Sequence, residues 1–172
     1  MTVALRGRYS RWLVRPRWQR HAGLAALLAA IAVLSSRRLG GGGGMPEALG
    51  FALNWCHQPL YGSLAVLAAA SAGLRLPGAS LAARCAIVAF TLAIGVADEF
   101  NQGQTPDRDS SLWDLGSDTL GAALALTVAG WTGRSGRPVL EPGPVLFCLG
   151  LSLAWNCAPA FLPNLPLIAV LP

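Results

Sequence analysis

Lysine is absent from this 172-residue chain, and charge of either sign is scarce, with 12% charged residues. An ordinary soluble domain carries about 25%. With 53% hydrophobic residues and a mean hydropathy of +0.49, the deficit favours a membrane class over a soluble globular one. The four cysteines contain no CxxC pair, which argues against a zinc site or a disulfide framework and leaves them as small apolar filler. No nucleophile elbow, HExxH or P-loop is present. The glycine run Gly40 to Gly44 has neither the lysine nor the strand–helix context of a phosphate loop and reads as a linker. No internal repeat is evident.

The net charge of +5 comes entirely from arginine. A basic chain suggests nucleic acid, but these arginines sit at chain ends and short connections. Membrane orientation explains them better, and no nucleic-acid partner is expected.

What the chain does contain is apolar runs of helical length. They predict an all-α fold, a polytopic transmembrane helical bundle of about five spans. Residues 1–20 form a basic segment with six arginines and two tryptophans. Spans are expected at 21–36, 57–76, 81–98 and 112–131, which together make a membrane domain over 21–131. Residues 132–172 are a C-terminal extension with a fifth span at 144–162. The basic start followed by a short apolar run resembles a signal peptide, but no small-x-small cleavage site follows. Pro59 is expected in the first turn of span two, where its missing N–H is not needed. Gly103 and Pro106 are expected to break the helix after span three.

Arginine placement sets the orientation. With the N-terminus in the cytoplasm, ten arginines are inner and three (Arg37, Arg38 and Arg108) are outer, as the positive-inside rule requires. The expected location is therefore the cell membrane, multi-pass. Trp12, Trp18, Trp55, Trp113 and Trp131 read as interfacial anchors.

The connection between spans three and four, "ADEFNQGQTPDRDSSLWDLGSD", holds six of the eight acidic residues. On this topology they gather at the outer face. Asp107 and Asp109 flank Arg108 in a solvated loop. Asp98 and Glu99 close span three, while Asp114 and Asp118 open span four. A carboxylate facing hydrocarbon is costly, so such residues face protein or a wet cavity. Asp114 and Asp118 are i and i+4 and share a face. Gly121 and Ala125 continue that face with residues small enough for another helix to approach closely. Two adjacent carboxylates repel, so a cation lies nearby or one of them holds a proton. Arg108 is the nearest cation in sequence, and a metal held with Asn101 or Gln102 oxygens is the other choice. His57 and Tyr61, also i and i+4, lie at the same level at the start of span two. A histidine beside carboxylates can serve as a general base or proton relay; an interfacial hydrogen-bonded pair is the plainer reading.

The stretch "DEFNQGQTPDRDSSLWDLGSDTLGA" resembles the signature of the VanZ-like membrane proteins. The match runs through Asp98, Glu99, Gln102, Pro106, Arg108, Asp114, Asp118 and Gly121. "NWCHQPLYG" is similar to the family's His-x-x-x-Tyr element at His57 and Tyr61. Asn54 stands where a lysine is common and Asp107 where a glycine is common. The first departure removes a positive partner for the acidic cluster, and the second makes the loop more acidic. The resemblance covers about residues 20 to 130. It implies a polytopic helical protein of the cell envelope, in a family whose named member is associated with resistance to the glycopeptide teicoplanin.

Three readings follow. In the first, a non-enzymatic envelope protein uses His57, Tyr61, Asp98, Glu99, Gln102, Arg108, Asp114 and Asp118 to bind a lipid-like or cell-wall precursor ligand beside membrane lipid. In the second, a membrane hydrolase or transferase acts on a lipid-linked substrate at the outer face, with His57 as acid or base. In the third, the polar groups are a buried network that fixes helix packing. No catalytic residue, metal ligand or cofactor is assigned.

Overall fold

The computed structural model describes residues 16–36, 47–105, 110–134 and 142–157. The fold is all-α: five helices and one short 3-10 turn, with no strand among the described residues. The helices are α1 (Arg17–Ser35), α2 (Glu47–Ser71), α3 (Leu81–Gly103), α4 (Leu112–Arg134) and α5 (Pro142–Cys157). The 3-10 turn Leu76–Gly78 joins α2 to α3.

Several boundaries differ from the sequence expectation, for local reasons. α1 begins at Arg17, so Arg17 and Arg20 are helical rather than part of a separate basic segment. α2 begins at Glu47, ten residues before His57, and Pro59 is therefore inside a helix and not in its first turn. The same helix stops at Ser71, short of the expected residue 76. Gly73 has φ +73, the Gly73 N–H donates to Ala70 O (3.1 Å) and the Leu74 N–H to Ala69 O (2.9 Å). That pair of bonds, with glycine in the left-handed region, is a Schellman stop. α3 is capped by Ser80, whose Oγ accepts from the Ala83 N–H at 3.2 Å. It runs past residue 98 to Gly103, so Asp98, Glu99 and Gln102 are helical. α5 closes at Cys157, and residues 158–162 of the expected fifth span lie outside the described residues.

α2 packs most extensively on α4, and α1, α3 and α5 surround that pair. The core is made of small residues: Ala65, Ala68, Ala69 and Ala122, with Leu76, Ile87 and Leu126 filling between them. Ile31, Tyr61 and Leu64 form a second cluster where α1 meets α2. The closest approach is at glycine. A Cβ placed on Gly62 would lie 3.0 Å from Gly121 O and 3.1 Å from Ala125 Cβ. One on Gly121 would collide with the backbone of Gln58. Gly121 and Ala125, read from the sequence as a small-residue face, are thus where α2 lies against α4.

Long-range hydrogen bonds fix the directions. The Arg20 Nη1 donates to Ala70 O at 2.7 Å and the Ser71 Oγ donates to Arg20 O at 3.1 Å, so α1 and α2 are antiparallel. The Asn101 Nδ2 donates to the Ser36 Oγ at 3.0 Å, which brings the ends of α1 and α3 together. The Arg84 Nη2 donates to Leu76 O at 2.7 Å, and its guanidinium packs on Gly130 of α4. Arg17, Arg20, Arg75 and Arg84 therefore occupy one end of the bundle, and Asp98, Glu99, Asp114 and Asp118 the other. From Arg84 to Glu99 the ends are about 22 Å apart at 1.5 Å per residue.

Arg20, treated in the sequence as an orientation signal, is 8% exposed and holds the last turn of α2. A cation at a helix C-terminus is also favoured by the helix dipole. Arg20→Met, which keeps the stem but removes the donors, should destabilise the fold by about 1.5–3 kcal/mol. Denaturant titration of the purified chain in micelles checks this, and a loss below a few tenths of a kcal/mol would contradict it.

Among the described residues one helix, α3, is long and apolar enough to cross a membrane, with a mean hydropathy of 1.8. Only 11% of its most apolar stretch is buried within the protein, and Leu81, Phe90, Val96 and Phe100 are exposed. α5 presents Leu146, Phe147, Leu149, Leu151 and Leu153 outward. Cys56 and Cys85 are also exposed, on outward helix faces, so they are not core filler.

Candidate functional site

The carboxylate end of the bundle is built from α2, α3, α4 and the first residues before α4. Asp118, one and a half turns into α4, is fully buried. Its Oδ1 lies 2.9 Å from the His57 Nδ1 across the helix interface. With the proton on Nδ1 the ring donates to the carboxylate and Nε2 remains an acceptor. His57 is 16% exposed, so the pair has one buried and one nearly buried member. Tyr61, one turn further along α2, is fully buried, and its ring stacks parallel to the imidazole with centroids 6.2 Å apart. The i and i+4 spacing of His57 and Tyr61 on one helix produces that stack.

α3 supplies the opposing face. Glu99 is fully buried, and its Oε2 accepts the Ser111 backbone N–H at 2.7 Å. Ser111 stands immediately before α4, and its own Oγ accepts the Trp113 N–H at 3.2 Å. The carboxylate thus meets unsatisfied amide groups at a helix N-terminus, where negative charge is favoured. The Gln102 Nε2 donates to Asp98 Oδ2 at 2.9 Å and lies 3.5 Å from Glu99 Oε1. One turn before Asp98 and Glu99 is Gly95. A Cβ there would lie 2.9 Å from Asp118 Oδ2, so the missing side chain makes room for that carboxylate between α3 and α4.

His57, Tyr61, Asp98, Glu99, Gln102 and Asp118 are therefore brought together. Asp114 is half-buried and acts electrostatically on His57 and Glu99. Arg108, with Pro106 and Asp107, lies outside the described residues. Among the described residues, the partner on Asp118 Oδ1 is His57. The Asn101 Nδ2 turns to α1, where it meets the Ser36 Oγ. Among the described residues, no group of three or more His, Cys, Asp or Glu side chains is arranged to hold a metal ion.

Four contributors were missed in the sequence. Ser111 was readable, because Ser111-Leu112-Trp113-Asp114 has the S-x-x-acid spacing of a helix start. Gln58 and Ser152 were not: they hydrogen-bond across α2 and α5, 94 positions apart. Trp155 closes the same edge. Its Nε1 donates to the Ser117 Oγ at 3.0 Å, and its indole packs on Trp113 with centroids 5.1 Å apart.

Beside the polar cluster runs a groove of about 840 Å³ between α2, α4 and α5. Val66, Leu67, Leu124, Val128 and Leu149 line its length, and Gln58, Ser63 and Ser152 are polar members. Gln58 is 7% exposed, and its Nε2 has no hydrogen-bond partner. Comparison of the chain with family models, with curated proteins and with solved structures finds no match.

Proposed function

We propose that this chain is a multi-pass, non-enzymatic protein of the cell membrane that binds a lipid-like amphiphile. The tail lies in the groove between α2, α4 and α5, and the polar head lies at the carboxylate end. The observation that carries the reading is the groove itself: an apolar trough with an unpartnered, buried amide donor, Gln58 Nε2, next in the chain to His57. Such an amide gains a hydrogen bond when an ester, amide or phosphate oxygen arrives. Membrane residence is supported by the outward apolar surfaces of α3 and α5, since monomeric soluble proteins seldom expose large apolar patches. The separation of arginines from carboxylates supports an N-terminus in the cytoplasm and the acidic end outside. The VanZ-like resemblance adds a cell-envelope setting, a cell-wall-related ligand and a link to glycopeptide resistance.

The test uses the full chain in phosphatidylcholine nanodiscs containing an isoprenyl monophosphate, with bound lipid read by native mass spectrometry. Wild type should retain the isoprenyl phosphate over phosphatidylcholine. Leu124→Trp, which fills the groove, should reduce retention at least tenfold with helicity unchanged. Equal retention by the two proteins would end the proposal. A second reading, hydrolysis or transfer on a lipid-linked substrate, is favoured by the His57–Asp118 pair, which has the geometry of an oriented base. Under that reading the same nanodiscs would yield free phosphate or an exchanged head group, and His57→Gln would stop it.

A further inference from the structure

We infer that the arginine end of the bundle is a docking surface for the head group of an anionic phospholipid. The connection between α2 and α3 gathers the arginines. The Arg20 Nη1 reaches Ala70 O from α1 at 2.7 Å, and the Arg84 Nη2 reaches Leu76 O from α3 at 2.7 Å. Arg75 stands in the chain between those two carbonyls, at the start of the 3-10 turn. Arg17 is three positions before Arg20 and shares its side of α1. Arg17 and Arg75 are exposed.

This positive charge is not matched within the fold. No carboxylate among the described residues pairs with any of the four arginines. The polar cluster with its carboxylates is at the opposite end, about 22 Å away. Arg20 sharpens the deficit. It is 8% exposed, its Nε has no hydrogen-bond partner, and its Nη1 meets a carbonyl dipole rather than a full negative charge. A buried charge without a counterion is costly, and salt screens it less than an exposed one. A phosphate held by Arg17 and Arg75 beside it relieves that cost.

The surface around the arginines favours a lipid over a free anion. Trp18, next to Arg17, is 67% exposed, and Leu81, three positions before Arg84, is 77% exposed. An exposed tryptophan among arginines at a helix end suits the head-group level of a bilayer, which is apolar on one side and wet on the other. A soluble phosphate offers Trp18 and Leu81 nothing. Leu81 also begins α3, the helix long and apolar enough to cross a membrane. The inference rests on the membrane residence proposed above, but not on the groove or its ligand.

The experiment places the full chain in nanodiscs of phosphatidylcholine and phosphatidylglycerol in equal parts, and native mass spectrometry identifies the lipid retained on release from the disc. Wild type should retain phosphatidylglycerol in preference. One arginine near an anionic surface contributes about fivefold, so Arg17→Gln should cut the preference by about that factor. Arg17→Gln with Arg75→Gln should bring it close to parity with helicity unchanged, because both side chains are exposed. Arg17→Lys with Arg75→Lys, which keeps both charges, should preserve it. Equal retention of the two lipids by wild type, or a preference intact in the double glutamine variant, would overturn the inference and leave membrane residence standing. Loss of the preference when inorganic phosphate replaces chloride at constant ionic strength would make the partner a free anion, and would overturn it too. Failure to enter discs of either lipid would end the membrane reading and this inference with it.

Discussion

His57→Ala should destabilise the fold by about 3–5 kcal/mol, the cost typical of leaving a buried carboxylate without its partner. The size comes from what is left behind. Asp118 has no exposed surface and would keep a carboxylate with neither imidazole nor water on Oδ1. Removing both members is predicted to be milder. His57→Phe with Asp118→Leu replaces the pair with apolar groups of similar bulk, and at least half of the single-variant loss should return. Denaturant titration in micelles on wild type, single variant and double variant gives the comparison. A single-variant loss under 1 kcal/mol, or a double variant worse than the single, would show that the pair does not anchor α2 to α4.

The second large effect is steric. Gly121→Leu should cost about 3 kcal/mol or more, the upper end of the range for overpacking. A Cβ at Gly121 would come 2.7 Å from the Cα of Gln58 and still nearer its carbonyl oxygen. Backbone cannot swing aside as a side chain can, so α2 and α4 must separate and their alanine core must open. Gly62→Ala provides the internal contrast. Its added Cβ would meet the Gly121 O at 3.0 Å and the Ala125 Cβ at 3.1 Å, contacts that a shift of a few tenths of an ångström relieves. The ordering Gly121→Leu far below Gly62→Ala in stability is the expected result. Equal losses would place the tight approach elsewhere.

How much of this was legible depended on whether the cause was local. The starts of α3 and α4 were readable because Ser80 and Ser111 are N-capping residues next to turn signals. Gly121 and Ala125 were readable as a contact face because the i, i+4, i+7, i+11 spacing from Asp114 is a property of any helix. Pro59 was misplaced for a reason that is also local. α2 already runs from Glu47, so Pro59 falls inside it, and proline inside a helix is tolerated where neighbouring groups re-satisfy the backbone. What no local pattern supplied was partnership. Six of the eight candidate residues converge, but the sequence left the partner of Asp118 open between Arg108, a metal and a shared proton, and only the fold shows His57 against it. Nor did it reveal that Glu99 would serve the backbone of Ser111, or that Arg20 would be buried against α2. Each of those contacts depends on the order in which helices pack, which periodicity does not encode.

The 61 positions between His57 and Asp118 matter while the protein is being made. At roughly 5–20 residues per second, the imidazole is made some 3–12 s before its carboxylate exists. Throughout that interval α2 has neither its principal neighbour nor a counterpart for Gln58, which must await Ser152 on α5. A nascent hairpin of α1 and α2, pinned by Arg20 at one end, would have its other end unfinished until α4 arrives. Ribosome-bound chains truncated before Asp118 are therefore the species whose uncovered α2 surface is open to quality-control proteases.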